Sequence, residues 1–195
     1  WERYLCCLVY SFRFLFRQPH TTKIMPQNAF RFPLALFVFA VILATAAAAG
    51  SAGCGLTSPY TLGASNPVTI TTVDGNRTYH VYMPTIYNNT RPTPIVFLFH
   101  GGFGTGTQAE SAYKLDPVAE SNNFIAVYPD GIQAAWNAGE CCGYPMTHNI
   151  DDIGFVSSMI DSLESLLCIN PAAIFATGKN IPLQEFKHIF VFIFV

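Results

Sequence analysis

Charged side chains are scarce. Asp, Glu, Lys and Arg make up 11% of the 195 residues, and 10 basic against 12 acidic groups leave a net charge of −2. No basic block and no acidic tail is present, which argues against nucleic acid as a partner and against a polybasic membrane-surface site. None of the 5 histidines stands at ligand spacing from the pair Cys141-Cys142, so no metal is expected, and no cofactor either. Internal repeats are absent, and the only biased stretch is the alanine-rich segment around Ala46 to Ala49. Apolar residues, in contrast, reach 51% and concentrate at the two ends of the chain. Their excess therefore need not describe the folded part. The length suits one domain with a substantial core.

The first residue is Trp1, and residues 1–24 mix aromatics, arginines and Cys6-Cys7 without sustained periodicity. They are expected to be a non-native leader upstream of the true start. Met25 opens a segment, 25–52, laid out as a secretory signal. Arg31 supplies a positive start, Pro33 to Ala49 are uncharged and nearly all apolar, and small residues near Ala49 and Ala52 offer cleavage points. A signal anchor and a lipoprotein box ending at Cys54 are the rival readings. Membrane contact is expected only through this segment. In an oxidising compartment Cys54, Cys141, Cys142 and Cys168 become disulfide candidates. A bond between the adjacent Cys141 and Cys142 requires a strained ring, so each is expected to pair with a distant partner. Asn76-Arg77-Thr78 and Asn88-Asn89-Thr90 are glycosylation sequons, making Asn76 and Asn88 candidates in a eukaryotic host.

The segment 53–178 carries the fold. Val68 to Thr72 and Arg77 to Met83 read as strands joined by a turn at Asp74-Gly75-Asn76. Ile95 to Phe99 is a continuous apolar run, as expected of a strand buried on both faces of a parallel sheet. It ends in His100-Gly101-Gly102-Phe103-Gly104, at the carboxyl end where open α/β sheets hold their ligands. Asp116-Pro117 suggests the start of a short helix stopped by Asn122-Asn123. Phe124 to Tyr128 is a second apolar strand. A helix is expected after Asp151-Asp152, where Val156, Met159, Ile160, Leu163, Leu166 and Leu167 repeat at three and four. Ala173 to Thr177 is a third apolar strand. A hairpin followed by strand, helix, strand, helix, strand is an α/β arrangement.

Six local motifs occur in order: His100-Gly101-Gly102, Tyr128-Pro129-Asp130-Gly131, Trp136-Asn137-Ala138-Gly139, Cys141-Cys142-Gly143, Asp151-Asp152-Ile153-Gly154-Phe155 and Ala176-Thr177-Gly178. Across residues 66–178 the chain resembles the secreted polyhydroxybutyrate depolymerase and feruloyl esterase family. The resemblance implies the amino-terminal half of an α/β-hydrolase and a serine esterase mechanism. Feruloyl esters of the plant cell wall or hydroxyalkanoate polyesters would be the ester substrates. It also implies that His100, Gly101, Gly102 and Phe103 form the oxyanion-hole loop, with backbone N–H groups as donors.

After Gly178 the resemblance stops. The family's strand runs into a G-x-S-x-G elbow, whereas here Lys179-Asn180-Ile181-Pro182 follow and Asn180 occupies the nucleophile slot. No catalytic Ser, Asp or His of the family has a counterpart, so the chain as written is expected to be truncated and inactive. Residues 179–195 are expected to be an aberrant apolar tail, from intron read-through if the codons at Gly178-Lys179 contain a splice donor. A non-catalytic secreted or membrane-tethered binding protein on the same fold is the alternative. His100 is expected to brace its loop through local hydrogen bonds rather than act as a base. His148 and His188 are read as surface or tail residues. Asp130 is read as turn chemistry and Asp151-Asp152 as helix capping, in preference to a glycosidase acid/base pair. Trp136 is a candidate for the cleft wall, or packs its own loop.

Overall fold

A computed structural model describes residues 50–139 and 143–178, together with the backbone of 190–191. Alternating and continuous apolar runs become one six-stranded sheet. Its strands are β1 (Ala64–Thr72), β2 (Gly75–Met83), β3 (Thr93–Phe99), β4 (Ile125–Pro129), β5 (Ile169–Gly178) and β6 (Phe190–Val191). Their spatial order is β1-β2-β4-β3-β5-β6. The first hairpin and the β2/β4 pair are antiparallel, and β4, β3, β5 and β6 run parallel. Residues 190–191 of the apolar tail thus add a short strand beside β5.

Side chains alternate across a strand, and here the two faces find different partners. Ile95, Phe97 and Phe99 of β3 point with Ile125 and Val127 of β4 toward α4 (Asp152–Leu166). From α4 they meet Phe155, Val156, Met159 and Leu163, all buried. Each such side chain contributes about 1.5–3 kcal/mol by leaving water. On the opposite face Leu98, Ala126 and Tyr128 meet Ala109 and Ala119. Those alanines belong to α1 (Gly106–Tyr113) and α2 (Leu115–Asn122). A 3-10 turn (Ile132–Ala134) and the short α3 (Tyr144–Thr147) lie in the loop after β4.

Several expectations change. No helix was read over Gly106–Tyr113, yet α1 forms there, and the Thr105 side chain caps it by accepting the Gln108 N–H. Asp116 does not cap α2. The cap position is Lys114, in the left-handed region at φ 53°, and the Asp116 carboxylate instead accepts the Tyr128 hydroxyl. The third apolar strand, read over Ala173 to Thr177, starts earlier, at Ile169, so that Asn170-Pro171 lies inside β5. Between the pairs Thr93↔Ile169 and Ile95↔Ile174, β3 advances two residues and β5 five, so the proline, which cannot donate to the ladder, sits in a bulge.

Cys54 is bonded to Cys168 across 114 residues. This pairing corrects the expected cross-pairing, because it takes up both distant partners proposed for Cys141 and Cys142; those two residues lie outside the described ones. Backbone fit explains the choice. Ser51 exchanges hydrogen bonds with the segment after α4: its N–H donates to the Ile169 carbonyl and its hydroxyl accepts the Ile169 N–H. The Gly53 N–H donates to the Glu164 carbonyl. A Cβ on Gly53 would come within 2.3 Å of the Leu167 nitrogen, so only glycine permits the approach that delivers Cys54. The expected signal segment before residue 50 lies outside the described residues, among which no helix is long and apolar enough to cross a membrane.

Candidate functional site

The central strand β3 delivers His100 at its carboxyl end, and His100 is only 2% exposed. Its Nε2 accepts the Gly131 N–H at 2.9 Å. A backbone N–H can only donate, so Nε2 carries no proton, and Nδ1–H donates to the Gly101 carbonyl at 2.7 Å. The Trp136 indole N–H donates to the His100 carbonyl at 2.9 Å, and the two rings lie 4.9 Å apart. Both ring nitrogens are thereby committed to the loops on either side, in accord with bracing rather than base chemistry.

Beyond His100 the chain bends sharply. The Gly104 N–H donates to the Gly101 carbonyl at 3.1 Å, and the Phe103 N–H donates to the Ala134 carbonyl at 2.8 Å. This corrects the role read for Phe103: its N–H is already spent inside the protein and is no oxyanion donor. The N–H groups of Gly101 and Gly102 find no acceptor among the described residues. They border an open depression of about 280 Å³ lined also by Phe103, Gly104, Gln108, Ala109, Ala112 and Tyr113.

A buried charge pair underlies this loop, and the sequence reading missed it. Arg77, 2% exposed, donates to Asp152 Oδ1 at 2.8 Å and to the Asp130 carbonyl at 3.2 Å. Its guanidinium lies 4.0 Å from the centre of the Phe155 ring and 5.9 Å from that of Trp136, both in cation–π range. Asp152 Oδ2 accepts the Asn137 N–H at 2.7 Å. Burial pushes the Asp152 carboxyl above the usual carboxylate range, while the Asn137 N–H and Arg77 pull it back. Linked in this way, Arg77 and Asp152 set Asn137, and so the neighbouring Trp136, which holds His100.

Asp130 works alongside them. Its Oδ1 accepts the Gly106 N–H at 2.7 Å, and its Oδ2 accepts the Thr78 hydroxyl at 2.8 Å. A Cβ on Gly106 would meet the Tyr128 carbonyl oxygen at 2.4 Å, so glycine lets α1 start directly against β4. Asp151 caps α4 by accepting the Gly154 N–H at 2.8 Å. Both oxygens of Asp130 and of Asp152 accept donors from the protein, an arrangement unlike a glycosidase pair.

Trp136 is 4% exposed and packs edge-on to Phe99 at 5.2 Å, inside the core rather than on the cleft wall. The two sequons stand apart from the depression. Asn76 lies on β2 and accepts the Thr71 hydroxyl, and Asn88 lies in a turn where it accepts the Thr90 N–H and hydroxyl. His148 is exposed and stacked on Tyr144 at 3.7 Å. Asn180 and His188 lie outside the described residues. Among the described residues no group of three His, Cys, Asp or Glu side chains is placed to hold a metal.

No family model matches the sequence. Feruloyl esterase D of Neurospora crassa is 30% identical over 154 residues, which is 73% of this chain and 49% of that protein. The chain is a homologue of the feruloyl esterases. Probable feruloyl esterase C of Aspergillus terreus agrees, at 31% identity over 144 residues, 70% of this chain and 46% of its own length. The chain spans about half the length of the curated relatives it matches. Among solved structures, an S-formylglutathione hydrolase from Agrobacterium tumefaciens superposes with a TM-score of 0.50 at 13% identity, covering 63% of this chain and 51% of its own. At that identity the likeness speaks for the fold alone. This feruloyl esterase homologue has the mixed sheet and flanking helices of the first part of an α/β-hydrolase.

Proposed function

We propose that the described residues form the oxyanion side of a secreted carboxylic-ester hydrolase, of feruloyl esterase or polyhydroxybutyrate depolymerase type. The observation that carries the reading is the pair of uncommitted N–H groups at Gly101 and Gly102. They stand at the carboxyl end of the central strand, in a loop fixed by His100 on one side and Ala134 on the other. Placed against an ester carbonyl, they would stabilise the charge that develops on oxygen when a nucleophile adds. Removing one such donor typically costs about 10²–10³ in turnover. A serine nucleophile would form the acyl-enzyme, and water would then release the acid. Secretion is in keeping with the Cys54–Cys168 disulfide, which persists in an oxidising compartment.

With Asn180 in the slot of that serine, the chain as written turns over no ester, because an amide nitrogen does not accept an acyl group in this way. Two measurements test the reading. Hydrolysis of methyl 4-hydroxy-3-methoxycinnamate and of a short hydroxyalkanoate ester by the chain as written should be undetectable; turnover would sink the assignment at Asn180. The transcript across the codons for Ala176 to Lys179 should continue into Ser-Asn-Gly-Gly coding, with a later Asp and His. A message that ends after Val195 would sink the hydrolase reading. It would then favour a non-catalytic binding protein, to which the parallel pairing of 190–191 with β5 gives a place in the sheet.

A further inference from the structure

Past the end of β2, at the amino end of β4 and away from the glycine loop, the fold leaves apolar surface unused. Tyr60, Leu62, Ile86 and Tyr87 line an open groove there of about 450 Å³, within the ~300–1,000 Å³ usual for small-molecule sites. Its walls are fixed. The Gly63 N–H donates to the Met83 carbonyl, the Tyr87 N–H donates to the Pro84 carbonyl, and the Tyr87 hydroxyl accepts the Cys168 N–H. Even so, Leu62 is 43% and Ile86 55% exposed. Clustered apolar exposure of this kind marks a surface that something covers. The rim carries hydroxyls and amides, among them Thr57, Ser58 and Asn88, and no charged side chain lines the groove. A neutral occupant fits it.

Asn88 opens the sequon Asn88-Asn89-Thr90, and its geometry differs from that of the other sequon. Its Oδ1 accepts the Thr90 N–H at 2.9 Å and the Thr90 hydroxyl at 2.8 Å. A backbone N–H only donates, so the accepting atom is the oxygen. The Asn88 amide nitrogen has no partner among the described residues, whereas those of Asn66, Asn89, Asn122 and Asn137 each donate. Both bonds of Asn88 span two residues, so this turn needs no tertiary structure and is open to a chain not yet folded. In Asn76-Arg77-Thr78 the sequon runs along β2 instead. There the Thr78 hydroxyl goes to Asp130, 52 positions away, and Asn76 accepts from Thr71.

We propose that Asn88 carries an N-linked glycan whose first N-acetylglucosamine lies in this groove, against Leu62 and Ile86. The proposal rests on the secretion put forward above and not on the ester chemistry. The donor is an oligosaccharide carried on a polyprenyl pyrophosphate. The Asn88 amide nitrogen bonds to its anomeric carbon and the bond from that carbon to the phosphate oxygen breaks. The pyrophosphate leaves with the electron pair, and the amide proton passes to solvent. The C–H face of the sugar then removes the apolar walls from water, and its hydroxyls and acetamide meet Thr57 and Ser58 at the rim.

The test uses the full chain secreted by a eukaryotic host, with peptide mapping by mass spectrometry and melting curves. The glycan should be found on Asn88. Trimming with an endoglycosidase that leaves one N-acetylglucosamine should not move Tm. Complete removal with an amidase, which leaves aspartate at that position, should lower Tm by about 2–4 °C, and Asn88→Asp should match it. Ile86→Ser, at an exposed position, should abolish the difference between the trimmed and the fully stripped protein. Secreted material with Asn88 unmodified, or with a glycan on Asn76 alone, would overturn the proposal. An unchanged Tm on complete removal, or a difference that survives Ile86→Ser, would overturn the seating of the sugar. Failure to reach the medium, with Cys54 and Cys168 as free thiols, would overturn secretion as well, so the two failures are told apart.

Discussion

At the scale of single residues, the Arg77–Asp152 pair decides how well the candidate site is held. The two are separated by 75 positions and share one hydrogen bond of 2.8 Å in the interior. Removing one partner of a buried pair leaves a charge with no compensation, which costs about 3–5 kcal/mol, while replacing both with apolar groups is often neutral. Arg77→Met is therefore expected to lower stability to urea by that amount, and Arg77→Met with Asp152→Leu to recover much of it. An Arg77→Met loss below about 1 kcal/mol would show that the pair does not act as a unit. Part of this was legible. Arg77 alternates with Tyr79, Val81 and Met83, the buried side chains of β2, so a cation stood on the apolar face of a strand and needed a partner. Which acid answered it was not legible, because Asp152 looks from its neighbours like a helix-end charge. His100 was easier: a histidine next to glycines at a strand end has only loop backbone within reach, and that is what it binds.

At the scale of elements, continuous apolar runs named β3, β4 and the end of β5 correctly, because a strand buried on two faces has few alternatives. What escaped was α1. Its composition gives a weak apolar stripe, yet Thr105 and Gln108 stand three apart, the spacing of a capping box, and that signal announces the helix. Another clamp joins α2 to the end of β2. The Glu120 carboxylate accepts the hydroxyl and N–H of Thr85 and the hydroxyl of Tyr82. Those donors, the Thr85 hydroxyl foremost, hold the Glu120 carboxyl below its ordinary value. In the acid window the unfolded chain then binds more protons than the folded one, so stability rises with pH there. The contribution is complete above the ordinary glutamate range and disappears as pH falls through the lowered folded value. Thr85→Val should accordingly lower the melting temperature near neutral pH, and the gap to the parent should narrow in acid. A gap that stays constant down to about pH 2 would contradict the clamp.

For the whole molecule, the disulfide is the feature least visible in the sequence and most consequential for stability. Four candidate cysteines allowed three connectivities, and the strain expected of a Cys141–Cys142 ring argued for the two in which Cys54 and Cys168 do not find each other. The deciding fact was three-dimensional: residues 51–54 lie along the chain that leaves α4. Closing a loop of 114 residues removes chain entropy worth about 4–5 kcal/mol in the unfolded state. Cys54→Ser with Cys168→Ser should lose stability of that order, and a cost under about 1 kcal/mol would mean that the unfolded chain is already constrained. A sheet covered on both faces, by contrast, was implied by the continuous apolar runs, and the position of the loop after β3 by where the first of those runs ends.

If the segment 25–52 serves as the secretory signal proposed for it, the contacts of Ser51 also bear on where it is cut. The small-residue zone offers two scissile points, after Ala49 and after Ala52, that a peptidase reading local sequence has little reason to distinguish. The folded protein does distinguish them. A cut after Ala52 discards Ser51, with its hydrogen bonds to Leu167 and Ile169, and leaves Cys54 one residue from a charged, freely moving end. A cut after Ala49 leaves Gly50 as the new amino terminus and keeps every one of those bonds. Edman sequencing of secreted material is expected to begin Gly-Ser-Ala-Gly-Cys; a start at Gly53 would mean that the strap along α4 is dispensable.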